Sequence, residues 1–243
     1  MPVARRLTAP LAGALLAGAL LTGCAAGAAT TSASTVPQPA PSPAAAFHGE
    51  EPRPVQERPS FVLRTTDGEA YDFAERTAGR PTLLYFGYTS CPDECPTAMA
   101  DIAAALRTAD PQVAGQTRVV LVTTDPDRDS GPVLRRWLDT FHTDYVGLTG
   151  TQAEVDAAQE AVGVAPAAKG GPVPTLPGRP DEHVHAEGTA PHTHDGPLGY
   201  GVGHADVIFA YDTEDRLPVM YPGGTRPSDL AADLPLLVPG DAP

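Results

Sequence analysis

The fold is decided by residues 82–97, which read TLLYFGYTSCPDECPT. The first seven residues are a near-continuous apolar run of strand length, which is typical of a strand buried on both faces. Pro96 follows Cys95 at a position typical of the first turn of a helix. Apolar residues then recur with helical spacing at Met99, Ile102 and Leu106. The stretch therefore predicts a buried strand, a loop that carries Cys91, and a helix.

The segments that follow extend this pattern into a βαβ unit. Residues 118–124 form a second apolar run of strand length, and an apolar stripe over 133–141 predicts a helix behind it. Two strands joined through a helix are expected to run parallel. The remaining patterns predict a hairpin over 61–64 and 71–73, a short strand at 145–148, a helix at 152–162 behind a capping box at Thr151 and Glu154, strands at 207–211 and 217–221, and a closing helix at 228–237. This order predicts an α/β protein, a thioredoxin-like fold with an N-terminal β-hairpin extension.

The chain ends and one internal segment have a different composition from this core. The 28 Pro and 24 Gly, about a fifth of the chain, are too many for one compact domain throughout. Residues 1–23 contain two arginines, an apolar run and small residues before Cys24, the pattern of a lipoprotein signal peptide. We expect acylation of Cys24 as a lipid anchor; an ordinary secreted protein or an uncleaved anchor is the alternative. We also predict a disordered Pro/Ala-rich tether over 24–59, a folded domain over 60–238, and within it a loop rich in His, Pro and Gly over 165–203.

Charge and cysteine content exclude two broad classes of protein. The formal net charge is −14, so phosphate backbones would repel the chain and we expect no nucleic-acid partner. Three cysteines are too few for a disulfide-rich scaffold. If Cys24 carries lipid, Cys91 and Cys95 remain as a pair. Outside the cytosol we expect them to form a disulfide unless something opposes it.

The two remaining cysteines lie where a buried strand feeds a helix. The helix N-terminus lowers the pKa of thiols placed there, which makes them available as nucleophiles or ligands. The Cys-x-x-x-Cys spacing leaves room for an ion between the sulfurs, and two thiolates suit a soft ion such as Cu(I). His204 precedes the strand at 207–211, and in a thioredoxin-like fold that loop faces the cysteine loop. The sequence thus favours a metal site of Cys91, Cys95 and His204; a plain stabilising disulfide is the alternative, although it would close only a small loop.

These motifs together resemble the Sco/SenC family of copper chaperones. The resemblance begins at residues 85–97, continues at 124–129, 147–151 and 200–205, and covers roughly residues 60–238. It implies that Cys91, Cys95 and His204 bind copper, with Cu(I) as the expected ion and Cu(II) as the alternative, and that Asp125 lies in an acidic loop near the site. The family commonly has Asp before the histidine, whereas this chain has Gly203.

The resemblance also implies a function and a location. We expect a metallochaperone held by its lipid on the outer face of a bacterial cytoplasmic membrane, which delivers copper to the copper-bearing subunit of a cytochrome c oxidase. Its other partners would be an upstream copper donor or a thiol reductant.

Two enzymatic alternatives use the same cysteine pair. A thiol–disulfide oxidoreductase would use Cys91 and Cys95 as its redox-active pair and reduce cysteines of the oxidase or of other exported proteins. A peroxiredoxin is disfavoured because Thr89-Ser90-Cys91 lacks the Thr-x-x-Cys spacing of that family.

The 165–203 segment contains a second group of possible ligands. Two His-x-His pairs flanked by carboxylates are typical of weak Cu(II), Zn(II) or Ni(II) binding, and a solvated loop is the alternative reading. The four residues are His183, His185, His192 and His194.

Overall fold

The computed structural model describes residues 46–170 and 200–238. Eleven strands and six α-helices are found in these ranges. The strands are β1 (Gln56–Glu57), β2 (Val62–Thr65), β3 (Ala70–Asp72), β4 (Thr82–Gly87), β5 (Arg118–Thr123), β6 (Val146–Thr149), β7 (Ala168–Lys169), β8 (Val202–Gly203), β9 (Val207–Tyr211), β10 (Arg216–Leu217) and β11 (Val219–Pro222). The helices are α1 (Phe73–Thr77), α2 (Glu94–Thr108), α3 (Pro111–Gln116), α4 (Gly131–Leu138), α5 (Gln152–Ala161) and α6 (Pro227–Asp233), and a 3-10 helix follows at Leu234–Leu237.

A seven-stranded mixed sheet in the order β11-β9-β4-β5-β6-β2-β3 forms the centre of the fold. Strands β4, β5 and β6 are parallel to one another, whereas β9 is antiparallel to β4. Every residue of β4 is buried, because helices cover both faces of the sheet. Successive side chains of a strand point to opposite faces. Leu83 and Tyr85 therefore pack in the core that includes residues of α2, α4 and α6, and Leu84 and Phe86 pack in the core that includes residues of α1 and α5.

The α/β class and the parallel βαβ unit predicted from the sequence are confirmed. β4, α2 and β5 follow one another as expected, and the capping box at Thr151 and Glu154 is present at the start of α5. The hairpin of β2 and β3 extends the sheet beyond β6, since β2 pairs with both. The thioredoxin-like fold with an N-terminal hairpin is thus the observed architecture.

The folded domain begins earlier than the predicted boundary at residue 60. His48 donates its backbone N–H to Asp233, and Glu50 exchanges two backbone hydrogen bonds with Met220. Strand β1 pairs with β10. The composition of residues 46–59 does not indicate that they are folded, because their contacts are made mainly by backbone and polar groups. The first part of the predicted tether, up to residue 45, lies outside the described residues, as do the predicted signal peptide and Cys24.

The predicted loop over 165–203 is structured at both of its ends. Ala168 pairs with Gly203 and Lys169 with Val202, so β7 and β8 close the base of the segment as a two-stranded sheet. Two-residue strands leave almost no periodic pattern in a sequence, which is why they were missed. The four histidines of the segment lie outside the described residues.

Several short elements were not predicted either. Helix α1 directly follows β3, and α3 has no buried residue that would have produced an apolar stripe. The closing helix predicted over 228–237 divides into α6 and a 3-10 helix. Within the described ranges, no helix combines the length and the apolar character needed to cross a bilayer.

Candidate metal centre

The cysteine loop connects the carboxyl end of β4 to the first turn of α2. The backbone N–H of Cys91 donates to the carbonyl of Tyr88 at 3.2 Å, which turns the chain back toward the helix. Cys95 lies in the first turn of α2, and its backbone N–H points at the Cys91 Sγ at 3.4 Å. Both cysteines are free thiols in this structure. The start of α2 thus directs an amide donor at one of the two sulfurs.

Gly87 is needed for close packing behind Cys95. A Cβ at this position would lie 3.1 Å from the Cys95 Sγ and 2.8 Å from a ring carbon of Tyr85. Tyr85 is fully buried, and its hydroxyl is held by Asp206. Glycine therefore lets the end of β4 pass directly beneath the sulfur.

His204 reaches the cysteines from the opposite side of the loop. It lies between β8 and β9, and its Nε2 is 3.3 Å from the Cys95 Sγ. Its Nδ1 is 3.1 Å from the carbonyl oxygen of Ala205. Because a carbonyl only accepts hydrogen bonds, Nδ1 carries a hydrogen, and Nε2 is the ring nitrogen that faces the sulfurs.

The three predicted ligand residues converge on one point. The two sulfurs and the imidazole nitrogen all lie within 4.8 Å of one another. The rings of Tyr85 and Tyr88 contact the imidazole edge-on, with centroids 6.0 and 5.8 Å away. These aromatic walls fix the plane of the ring and limit the access of water.

The two thiols differ in burial and in acidity. Cys95 is fully buried and Cys91 is 8% exposed. A hydrogen bond from the Cys95 thiol, supported by one from His204, lowers the pKa of Cys91, whereas burial raises the pKa of Cys95 well above its ordinary value. Burial acts to lower the pKa of His204, but hydrogen bonding to Cys91 and to Ala205 outweighs it, and the net direction is upward. Cys91 is therefore the more acidic thiol of the pair.

A buried carboxylate holds the start of the cysteine loop. Asp129 accepts hydrogen bonds from the backbone N–H and the hydroxyl of Thr89, at 2.9 and 2.6 Å, and from the hydroxyl of Thr123 at 2.7 Å. Thr123 ends β5, and Thr89 is two residues before Cys91. Asp129 thus ties the loop to the neighbouring parallel strand. Burial raises the pKa of this carboxyl group.

A second hydrogen-bond network connects Tyr200, in the segment before His204, to the acidic loop after β5. Tyr200 donates its hydroxyl to Asp125 at 2.9 Å, and Arg128 bonds both the Asp125 carboxylate and the Tyr200 carbonyl. The Arg128 guanidinium also lies over the rings of Tyr200 and Tyr88, 3.9 and 5.7 Å from their centroids. Asp125 is therefore near the site, as the resemblance implied, and acts through Tyr200 and Arg128 rather than as a member of the three-residue cluster.

Most of the contacts that surround the three ligand residues could not be predicted from the sequence. Asp129 was present in the quoted motif at 124–129, but nothing in the spacing indicated that it would bond Thr89. Tyr85 donates its hydroxyl to Asp206 at 2.8 Å, and no sequence pattern indicated that contact. Gly203, where the family commonly has Asp, lies in β8 and pairs with Ala168.

The arrangement offers three soft or borderline donors in a buried site. Thiolate sulfur and imidazole nitrogen suit Cu(I), Zn(II) and other thiophilic ions, and the low pKa of Cys91 makes one thiolate available without a metal. The same pair is close enough for thiol–disulfide chemistry. The geometry is thus suited to holding a soft ion or to exchanging a disulfide.

Comparison with known proteins gives a family match and relatives that are similar over part of their length. The chain matches the SCO1/SenC family over residues 49–238. It is 38% identical to SenC of Rhodobacter capsulatus over 82 residues, which is 34% of this chain and 37% of that protein, and 36% identical to mitochondrial SCO1 of Saccharomyces cerevisiae over 85 residues, which is 35% of this chain and 29% of that protein. The matches span about half the length of the curated relatives or less.

Solved structures agree over nearly their whole length. Apo Sco1 of Thermus thermophilus superposes with a TM-score of 0.60 at 26% identity, covering 79% of this chain and 98% of that one. ScoI of Bradyrhizobium japonicum, solved with copper bound, superposes with a TM-score of 0.54 at 27% identity, covering 75% and 99%. With more than three quarters of its residues inside the family match and this fold around its cysteine loop, the chain belongs to the SCO1/SenC family.

Proposed function

We propose that this chain binds Cu(I) through Cys91, Cys95 and His204 and delivers it to the copper centre of a respiratory cytochrome c oxidase. Copper is here the cargo. The observation that carries the proposal is the convergence of two thiols and one oriented imidazole within 4.8 Å in a buried pocket. The copper-bound ScoI of B. japonicum supports it, since that protein shares the fold and the family.

The donor set fits Cu(I) better than a structural zinc ion. Structural zinc takes four protein ligands in a tetrahedron. In the ranges 46–170 and 200–238, the cluster contains three Cys, His, Asp or Glu ligands. Two thiolates and an imidazole match the preference of Cu(I) for soft ligands. Both thiols must be deprotonated on binding, so oxidation of Cys91 and Cys95 to a disulfide would remove the site.

Copper would enter and leave on the side of Cys91. At 8% exposure Cys91 is the least buried of the three residues, whereas His204 is 1% exposed and Cys95 is fully buried. A donor or an acceptor would therefore exchange ligands first with Cys91, and the buried pair would release the ion last. The acceptor would offer its own Cys and His groups.

Location forms the second part of the proposal. We infer that acylation of Cys24 holds the chain on the outer face of a bacterial cytoplasmic membrane, where oxidase copper centres are loaded. Replacement of Cys24 by Ser should release the chain from the membrane fraction. Retention of the variant in that fraction would contradict a lipid anchor.

An anaerobic titration of the reduced full chain with Cu(I) against a chromogenic competitor tests the ligand set. His204→Ala should weaken Cu(I) binding by about a hundredfold, since one of three bonds is lost. The matched control is His142→Ala, which removes an imidazole far from the cysteines and should leave the affinity unchanged. Equal affinity of His204→Ala and the parent chain would refute the three-ligand site.

One observation favours a second candidate, a thiol–disulfide reductase. Cys91 combines partial exposure with a lowered pKa, the properties of an attacking thiolate, and Cys95 is positioned to resolve a mixed disulfide. The two functions separate in a strain that lacks the gene. Rescue of oxidase activity by added copper indicates delivery, and rescue by a thiol reductant without copper indicates reduction.

A further inference from the structure

A cavity of about 460 Å³ lies at the end of the sheet opposite to the metal centre. Its lining includes Arg80, which precedes β4, and Arg118, which begins β5. Cys91 follows the other end of β4, and β4 and β5 run parallel in register over six residues. Six residues of strand span about 17 Å, so this cavity is a separate site.

Three arginines without a carboxylate partner line the cavity. They are Arg80, Arg107 and Arg118, and in the described part of the chain none of the three makes an ion pair or a side-chain hydrogen bond. Arg80 and Arg107 are exposed, and Arg118 is partly buried. The Nε of Arg118 is buried and has no hydrogen-bond partner. An unsatisfied buried donor is costly, and neighbouring like charges repel one another. The cavity thus contains donors that an anion would satisfy.

This concentration of unpaired arginine is unusual for the chain. The net charge is −14, and other arginines use the available carboxylates: Arg58, Arg135 and Arg216 each contact one at 2.9 Å. One carboxylate, Asp144, also lines the cavity. Three guanidinium groups and one carboxylate leave a charge of about +2. A dianionic group would neutralise this excess, and a single carboxylate would not.

The rest of the cavity wall is apolar. Leu106, Phe141 and Tyr145 contribute to the lining. The volume lies within the range that is typical of small-molecule sites. A ligand that suits the whole cavity therefore carries a dianionic head and an apolar body.

We propose that this cavity binds a phosphate monoester with an aliphatic body through Arg80, Arg107 and Arg118. Guanidinium groups bond phosphate oxygens in pairs, and a monoester carries close to two negative charges above pH 7. The ester can be soluble or can be the headgroup of a short phosphatidic acid, since both present the same chemistry. The site works without copper and does not depend on the function proposed for the cysteines.

The intrinsic tryptophan fluorescence of the chain can report ligand binding in this cavity. Trp137, its single tryptophan, packs edge-on against Phe141 with ring centroids 4.9 Å apart, and Phe141 lines the cavity. The full chain in neutral detergent at pH 8 is titrated with hexyl phosphate while the Trp137 emission is recorded. We expect a saturable change. Hexanoate lacks the second negative charge, and inorganic phosphate lacks the apolar body. Each should therefore bind about tenfold more weakly than hexyl phosphate.

Arginine variants distinguish binding in this cavity from nonspecific binding of anions to the surface of the chain. Arg107→Gln and Arg118→Gln should each weaken hexyl phosphate binding about tenfold. Arg136→Gln, which removes an exposed arginine of α4 outside the cavity, should leave it unchanged. Arg107 is exposed in the last turn of α2, so its replacement preserves the fold even if that of Arg118 does not.

Three results would overturn the proposal. They are the absence of a saturable change, equal weakening by Arg136→Gln, and hexanoate binding as tight as that of hexyl phosphate. Monomeric dihexanoyl phosphatidic acid identifies the source of the phosphate. Tighter binding of this lipid than of hexyl phosphate assigns the site to a lipid headgroup, and the reverse order assigns it to a soluble ester.

Discussion

At the scale of single residues, the metal centre depends on groups that never touch the ion. Cys91, Cys95 and His204 would hold copper, but Asp129 fixes the loop and Gly87 makes space for the Cys95 sulfur. The motif predicted the three ligand residues because their chemistry is visible in the sequence. The contacts of Asp129 depend on the distance between β5 and the loop, which only the folded chain determines.

Replacement of Asp129 by Ala should destabilise the fold and loosen the cysteine loop. The change leaves the Thr89 amide, the Thr89 hydroxyl and the Thr123 hydroxyl without their acceptor, at a cost of about 3 kcal/mol in the free energy of unfolding. Urea denaturation measures this cost. The control is Asp139→Ala, which removes an exposed i,i+4 ion pair with Arg135 and should cost below about 0.5 kcal/mol. Equal costs for the two variants would contradict the role given to Asp129.

The pairing of His48 with Asp233 predicts a pH dependence of stability. Hydrogen bonding and charge interaction with Asp233 raise the pKa of His48 above 6.5. A raised histidine pKa stabilises the folded state fully below the unfolded pKa, and the contribution is lost as the pH rises through the folded pKa. The free energy of unfolding of the parent chain should therefore exceed that of His48→Gln by more at pH 5.5 than at pH 9. The same difference at both pH values would contradict this interpretation.

At the scale of elements, long buried segments were predicted and short exposed ones were not. β4 and β5 are mainly apolar, because both faces of the sheet are buried there, and this apolar run is visible in the sequence. β1, β7 and β8 have two residues each, and backbone hydrogen bonds hold them in place. A pattern of side chains contains no information about such pairing, so the sequence predicts a later start of the domain than the structure shows.

The segment before residue 60 should contribute strongly to stability. Arg58 is buried, and its guanidinium donates to Thr77, to the carbonyls of Arg80 and Asp212, and to the carboxylate of Asp215. A chain that starts at residue 60 loses these bonds and the ladder of β1 with β10. We expect its free energy of unfolding to fall by about 3 kcal/mol or more relative to a chain that starts at residue 46.

The matched control for this truncation starts at residue 24. It adds only residues that the composition assigns to a tether, and it should unfold at the same urea concentration as the chain that starts at 46. Equal stability of the chains that start at 46 and at 60 would show that residues 46–59 do not belong to the folded domain.

At the scale of the whole molecule, the two ends of the parallel strands have different chemistry. The carboxyl end of β4 leads to the thiols and His204, and the amino ends of β4 and β5 lead to the arginine-lined cavity. The sequence predicted the first end, because a Cys-x-x-x-Cys loop and a histidine before a strand form a recognisable set. It did not predict the second, because Arg80, Arg107 and Arg118 are spread over 39 residues with no common motif.

X-ray absorption at the copper edge tests the central claim most directly. The reduced full chain is loaded with one equivalent of Cu(I) without oxygen. The account predicts one copper ion bound by two sulfurs and one imidazole nitrogen, and the loss of the nitrogen signal in His204→Ala but not in His142→Ala. Copper held by two sulfurs alone in the parent chain, or an imidazole signal that persists in His204→Ala, would contradict it.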